Sequence, residues 1–294
     1  MYPKTVYVAF GVVCGVFGTT FLAIRMGLMA GASPVFLAGV RFTVAGMVLL
    51  GALLAAGYTN GRTVAGLLGR ASVISLFLTA GTFGFMFWAE TRIDSGYMAR
   101  LDSTGPIVAA SFAAALLRAR IRVFHLVGFA AGTLGVILLS GGIRSAPADW
   151  SGLAAALVSV VLYSLGMVLY PKLFAPRDDP VTVNALQMAV GGILLLLVSP
   201  LLESARLPLT GGVIFPLLYL VVAGSIVGHT ANLVVVRRAG PVFASSWLYV
   251  APPIATAAGA IVLGETVGLQ DIAGTLLALV GVFFVTRPES RKPV

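Results

Sequence analysis

The 294 residues carry a formal net charge of +9, yet only 10% are charged while 59% are hydrophobic, at a mean hydropathy of +1.03. A soluble domain is nearer about a quarter charged, so these proportions exclude a soluble globular fold and require an integral membrane protein. The basic residues stand singly between apolar runs, which excludes a nucleic-acid face and marks a topology signal.

Ten apolar runs follow in order: residues 6–24, 34–56, 73–91, 96–117, 123–140, 152–170, 181–202, 213–236, 241–263 and 269–286. Each is near the length of about 20 residues that crosses a bilayer as a helix, so the expected fold is all-α. The first run is not a secretory signal, because nine more follow and Arg25 closes it. The connections are short and leave no room for a soluble domain. The lone Cys14 excludes an internal disulfide, and its apolar setting fits a buried, inert thiol. Small residues at helix-packing spacing (Gly11/Gly15, Gly128/Gly132, Gly224/Gly228) predict close backbone approach. Trp88, Trp150 and Tyr170 stand near span ends as interfacial belt residues.

Placing the N-terminus in the cytoplasm puts 13 of the 19 Lys and Arg residues in inner loops and only Arg92, Arg144 and Arg206 in outer ones. The asymmetry predicts both termini cytoplasmic.

The ninth run holds Pro252 and Pro253 at its middle, where neither can donate to the carbonyls of Leu248 and Tyr249. The helix is expected to kink or open there, with protein or water beside the bend, since unpaired carbonyls are costly in hydrocarbon. Pro106 lies 146 residues earlier, in the fourth run. At the same offset Ser33-Pro34-Val35 falls on Asp179-Pro180-Val181, Gly46 on Gly192, Arg92 on Arg238, Gly128 on Gly274, and Gly135-Val136 on Gly281-Val282. So many coincidences at one offset indicate a tandem duplication of five spans, 1–146 and 147–294. Five is odd, so the copies are inverted. Interrupted helices at matching positions of an inverted repeat are the signature of alternating-access transporters.

Neither a P-loop lysine nor a metal-ligand cluster of His or Cys is present, so no cofactor or metal is expected; Asp178-Asp179 reads as a helix cap. An embedded enzyme is poorly supported. Intramembrane polar groups usually face the bundle interior. Ser225, His229 and Asn232 share one face of the eighth span, and their equivalents Thr79, Phe83 and Met86 make a largely aromatic face in the third. Asn184 and Gln187 correspond to Ala38 and Arg41. Arg41 needs an anion, carbonyls or water, with Asp102 and Glu90 as partners to consider. Phe17, Arg41, Phe83, Met86, Tyr97, Tyr163, His229, Asn232 and Trp247 are the expected cavity wall, with Pro106, Pro252 and Pro253 as hinges. Each has a plainer reading: an interhelical hydrogen bond for His229, an ion pair for Arg41, core packing for Tyr163 and Trp247.

With these features the chain resembles the drug/metabolite transporter superfamily, in its EamA-type ten-helix exporters. The residues that carry the resemblance are 18–25 (GTTFLAIR) and 34–42 (PVFLAGVRF) in the first half. In the second they are 251–254 (APPI) and 263–266 (LGET), followed by Gly274 and Gly281. Two departures stand out: the family's Leu-Gly-Glu after the fourth span is here Leu117-Arg118-Ala119, and the first span lacks the glutamate of the small four-helix cation exporters.

The resemblance implies export of small metabolites across a bacterial inner membrane, most often amino acids. An aromatic, nearly acid-free interior fits zwitterionic amino acids, as in the aromatic amino acid exporters, moving by facilitated diffusion. The alternatives are export of other metabolites or drugs by proton antiport, or a scaffold or lipid-acting enzyme. Partners are then a small-molecule substrate and membrane lipid; the sequence sets no oligomeric state, and a monomer is compatible with it.

Overall fold

The computed structural model describes residues 2–93, 95–140, 149–263 and 267–286. Helices account for the ordered structure, and among the described residues there is no strand. In chain order they are α1 (Lys4–Met29), α2 (Pro34–Ala55), α3 (Gly61–Glu90), α4 (Ser95–Asp102), α5 (Gly105–Leu117), α6 (Val123–Leu139), α7 (Trp150–Leu173), α8 (Pro180–Leu202), α9 (Gly211–Ala239), α10 (Pro241–Ser245), α11 (Trp247–Leu263) and α12 (Leu269–Val285). Six of them (α1, α2, α3, α7, α8 and α9) are long and apolar enough to cross a membrane unbroken, and α6 and α12 are shorter apolar helices. The fourth and ninth runs are each divided, into α4–α5 and α10–α11.

Local chemistry explains several ends. Asp179 caps α8 by accepting from the Thr182 amide at 2.8 Å, and Pro180 opens that helix, as the sequence pattern predicts. Ser33 and Pro34 open α2 in the same register, but Ser33 makes no side-chain cap; Glu203, just past the end of α8, instead accepts from the Val35 and Phe36 amides at 3.2 and 2.6 Å. The third span starts twelve residues earlier than its apolar run, because Asn60 accepts from the Thr63 amide and nucleates a helix at Gly61.

The packing follows the repeat. α2 lies along α8, and α6 along α12, so equivalent helices of the two halves pair with each other. Both contacts require glycine. A Cβ on Gly46 would strike the backbone of Ala185 and Ala189, one on Gly192 that of Phe42 and Thr43, and Gly135 and Gly281 meet Ala278 and Gly132 in the same manner. Gly128/Gly132 and Gly224/Gly228 also sit against neighbours. Gly11 and Gly15 do not: they face open space on the outer side of α1, so that spacing carries no packing role. Tyr170 is likewise no belt residue; it is 1% exposed, with its ring tilted against that of Phe174.

One feature of the backbone has no sequence signal of its own. Both α3 and α9 widen into π-helical turns, over Leu76–Gly81 and Leu220–His229, at equivalent positions of the repeat. In α3 the Thr82 hydroxyl donates to the Phe77 carbonyl five residues back, consistent with the wider turn. Such turns rotate the following residues relative to a regular helix and recur at functional sites.

Candidate functional site

The two divided spans meet at the centre of the bundle. In the first, α4 ends at Asp102 and α5 resumes at Gly105 with Pro106 in its first turn; Thr104 accepts from the Ile107 and Val108 amides. In the second, the interruption lies at Ser246, and Pro252 and Pro253 fall inside α11. The expected opening at the double proline is therefore displaced by six residues toward the N-terminus. The physical reason is local: a proline removes one donor from a helix, whereas Ser246 turns the chain by bonding back to Phe243 with both its amide and its hydroxyl. Asp102 ends one half-helix, and Trp247 and Leu248 begin the other.

A cavity of about 70 Å³ forms around these ends, walled by Phe17, Thr20 and Ile24 of α1, Arg41 of α2, Thr82, Phe83 and Met86 of α3, Asp102, Gly105, Ser159, Val160 and Tyr163 of α7, His229, Trp247 and Leu248. Phe17, Arg41, Phe83, Met86, Tyr163, His229 and Trp247, singled out from sequence, thus lie around one space. Asn232 does not line it; its amide donates to the Tyr163 hydroxyl at 3.1 Å from behind the wall. Pro106 follows directly on the lining residue Gly105. The side chain of Tyr97, and Glu265 of the second-half Leu-Gly-Glu, lie outside the described residues.

Arg41 is 2% exposed and fixed without a counter-ion. Its Nε donates to Ser225 Oγ at 2.9 Å, and its guanidinium sits 4.7 Å from the centre of the Phe42 ring. Gly224 makes the space, since a Cβ there would come 2.8 Å from an Arg41 nitrogen. Asp102 and Glu90, considered as its partners, do not pair with it; among the described residues the ion pairs are Arg70–Asp178 and Arg92–Asp149. A guanidinium without a counter-ion in a membrane cavity has the charge and donors to pair with an anionic group.

His229, 7% exposed, is caged by Phe17, Phe42 and Phe83, with ring centres 5.0, 5.5 and 5.8 Å away, and takes no hydrogen bond from a described residue. The Tyr163 hydroxyl accepts from Asn232 and from Trp247 Nε1 at 2.9 Å, which leaves its own proton for an acceptor in the cavity. Behind the wall, Thr79, Gln187, Asn184, Ser225 and Thr230 form a hydrogen-bonded chain joining α3, α8 and α9.

The interior is not nearly acid-free. Asp102 faces the cavity and also a second one of about 230 Å³, shared with Glu90 and adjoining the first through Asp102, Trp247 and Leu248. Together the two approach about 300 Å³, the lower end of volumes that hold a small ligand. Sequence reasoning missed this role for Asp102 because its position at a half-helix end reads equally well as the membrane surface. The signal was present in its being four residues before Pro106.

Comparison with known proteins agrees with this architecture. The EamA-like transporter family matches residues 5–141 and again 150–287. The chain is 30% identical to the uncharacterized inner membrane transporter YedA of Escherichia coli (strain K12), over 92% of this chain and 87% of YedA. It is 26% identical to protein PecM of Dickeya dadantii (strain 3937), over 95% and 93%. A crystal structure 19% identical in sequence superposes with a TM-score of 0.80, covering 97% of this chain and 98% of the other, and shares its fold. An interior cavity at the meeting of two divided helices, inside a twice-matched family unit, fits one conclusion: the chain is a multi-pass inner membrane transporter of the EamA-like family, within the drug/metabolite transporter superfamily.

Proposed function

We propose that this transporter exports amino acids, aromatic and hydrophobic ones included, through the central cavity. The observation that carries the reading is that Arg41 and Asp102, a cation and an acid, share one cavity whose remaining wall is largely aromatic and aliphatic. A zwitterion presents the complementary pair: its carboxylate suits the guanidinium of Arg41 and its ammonium suits Asp102. Phe17, Phe83, Met86, Tyr163 and Trp247 then receive the side chain, and the Tyr163 hydroxyl donates to the carboxylate. His229 and Asn232 hold the aromatic wall in place.

The two units, 1–146 and 147–294, alternate access by rocking about the interruptions in the fourth and ninth spans, near Pro106 and ahead of Pro252-Pro253. Both termini are cytoplasmic in this reading, on the strength of the Lys and Arg distribution. Purified protein in liposomes is expected to pass labelled phenylalanine, methionine or threonine faster than empty liposomes do. Passage of none of a full amino-acid panel defeats the cargo claim, and tags found on opposite sides of the membrane defeat the inverted arrangement.

A further inference from the structure

The cations at one end of the bundle fall into two kinds. Between α3 and α9 they are engaged within the protein. Arg70 pairs with Asp178 at 2.8 Å, Arg237 donates to the Asp178 carbonyl at 2.6 Å, and Arg238 donates to Thr5 Oγ1 at 2.8 Å. At the corner that joins α5 to α6, by contrast, Arg118, Arg120 and Arg122 are exposed. None of the three makes an ion pair with a described residue or donates a side-chain hydrogen bond to one. Lys172, in the last turn of α7, joins this corner, since its Nζ donates to the Leu116 carbonyl at 3.5 Å. Asp178 and Asp179, the described carboxylates of this end, are taken up by Arg70 and by the cap of α8. Four cations therefore stand together with no acid to meet them.

The backbone singles out one of the four. Arg118 closes α5 at φ 55° and ψ 31°, and the Ala119 amide bonds back to the Ala113 carbonyl at 3.1 Å. Glycine takes up this left-handed conformation freely, whereas a residue with a side chain does so at a cost. At the equivalent place of the repeat, 146 residues on, the sequence has Gly264, and residues 264–268 (GETVG) contain no cation. Membrane orientation does not require the strained choice, because Arg120 and Arg122 already put positive charge in the same loop. An arginine held where the backbone favours glycine points to a contact made by its side chain.

The surroundings give the chemistry of that contact. Although residues 118–122 alone join them, α5 and α6 do not lie side by side: α5 packs on α7 and α10, and α6 on α12. Beside the arginines the surface is apolar and exposed, at Leu116, Ile121, Val123, Leu126 and Val127. A cluster of cations bordering uncovered hydrocarbon complements a phospholipid of net negative charge, with phosphate at the loop and acyl chains along the helices. A soluble anion matches the charges alone. We propose that Arg118, Arg120, Arg122 and Lys172 bind the phosphate of an anionic phospholipid, in the cytoplasmic leaflet when the chain is oriented as proposed above. The bound headgroup anchors the far end of α5, the half-helix whose first residue, Gly105, lines the central cavity.

The test uses the full chain in detergent and no transport substrate, so it stands apart from the amino-acid reading. Native mass spectrometry measures retention of added phosphatidylglycerol against phosphatidylcholine with the same acyl chains. The wild type is expected to retain phosphatidylglycerol preferentially. Arg118→Gly keeps or raises the melting temperature, because glycine relieves the backbone, yet lowers that preference about fivefold. Arg118→Gly combined with Arg120→Gln and Arg122→Gln abolishes it. Arg62→Gln, an exposed cation at the start of α3, leaves it unchanged. Equal retention of the two lipids, or an undiminished preference in Arg118→Gly, overturns the proposal. So does an equal loss in Arg62→Gln, which marks a diffuse effect of charge. Displacement of the lipid by millimolar inorganic phosphate assigns the corner to a free anion and overturns the lipid site.

Discussion

The two halves agree in backbone and disagree in chemistry. Gly46 and Gly192, or Gly135 and Gly281, occupy equivalent places and serve the same close approach, and the π-helical turns of α3 and α9 coincide. At the cavity the equivalences fail: Arg41 matches Gln187, Phe83 matches His229, Phe17 matches Tyr163, and Asp102 matches Leu248. The first half supplies both charged groups of the central wall and the second supplies the imidazole and the indole. In the proposed alternating-access cycle, geometry that lets two units rock must be shared by both, whereas a site lying between them is a single space with no need to be symmetric.

This contrast is sharpest at the glycines. Gly46→Leu and Gly192→Leu are each expected to remove folded protein, at a cost of more than about 3 kcal/mol, because the new side chain meets backbone. Size-exclusion profiles in detergent check this, and a well-folded variant of either breaks the equivalence. Next comes the Arg41–Gln187 pair. Arg41→Met is expected to slow amino-acid uptake about 10- to 100-fold, the worth of a charge-assisted contact. Gln187→Met leaves uptake within about threefold but lowers stability by about 1–2 kcal/mol, since Thr79 and Asn184 lose their partner. Equal uptake defects from both changes would contradict the asymmetry of the wall.

Tyr163→Phe is expected to cost about 1–2 kcal/mol of stability, by leaving the Trp247 indole unpaired and the Asn232 amide with only the Met167 sulfur, with uptake a few fold slower. Thermal unfolding and uptake on the same preparation measure both. The smallest effect lies outside the membrane. Ser151, Arg92 and the amide of Gly152 hold the Asp149 carboxyl well below the usual carboxylate range. A depressed value favours the ionised folded form, so the contribution is complete above the ordinary aspartate value of about 3.9 and fades only as pH falls further. Asp149→Asn should therefore lower the melting temperature slightly and by a constant amount across neutral and mildly acidic pH.

The spans and the 146-residue repeat were legible because bilayer thickness sets run length and because proline and glycine have narrow backbone roles. The glycine pairs read correctly wherever a second helix lies opposite, and failed at Gly11 and Gly15, where spacing alone says nothing about what faces it. The break near Pro106 was visible, yet its counterpart moved to Ser246, since a serine turn within an apolar run has no strong signature. Arg41 was recognisable as buried, but its support by Ser225 and the Phe42 ring depends on a helix some 180 residues away. Asp102 was ambiguous for the same reason: depth in the membrane is set by tertiary placement of a half-helix end.

The glycine contact between α2 and α8 has a mechanical corollary. Backbones that touch without side chains between them have no slack, so sliding one rod past the other would force carbonyls into amides at every step. On the alternating-access reading proposed above, this pair is expected to act as a fixed spine, with the strokes of the cycle falling to the helices around it. A covalent staple joining α2 to α8 should leave turnover untouched, whereas one joining α4 to α11 should stall it.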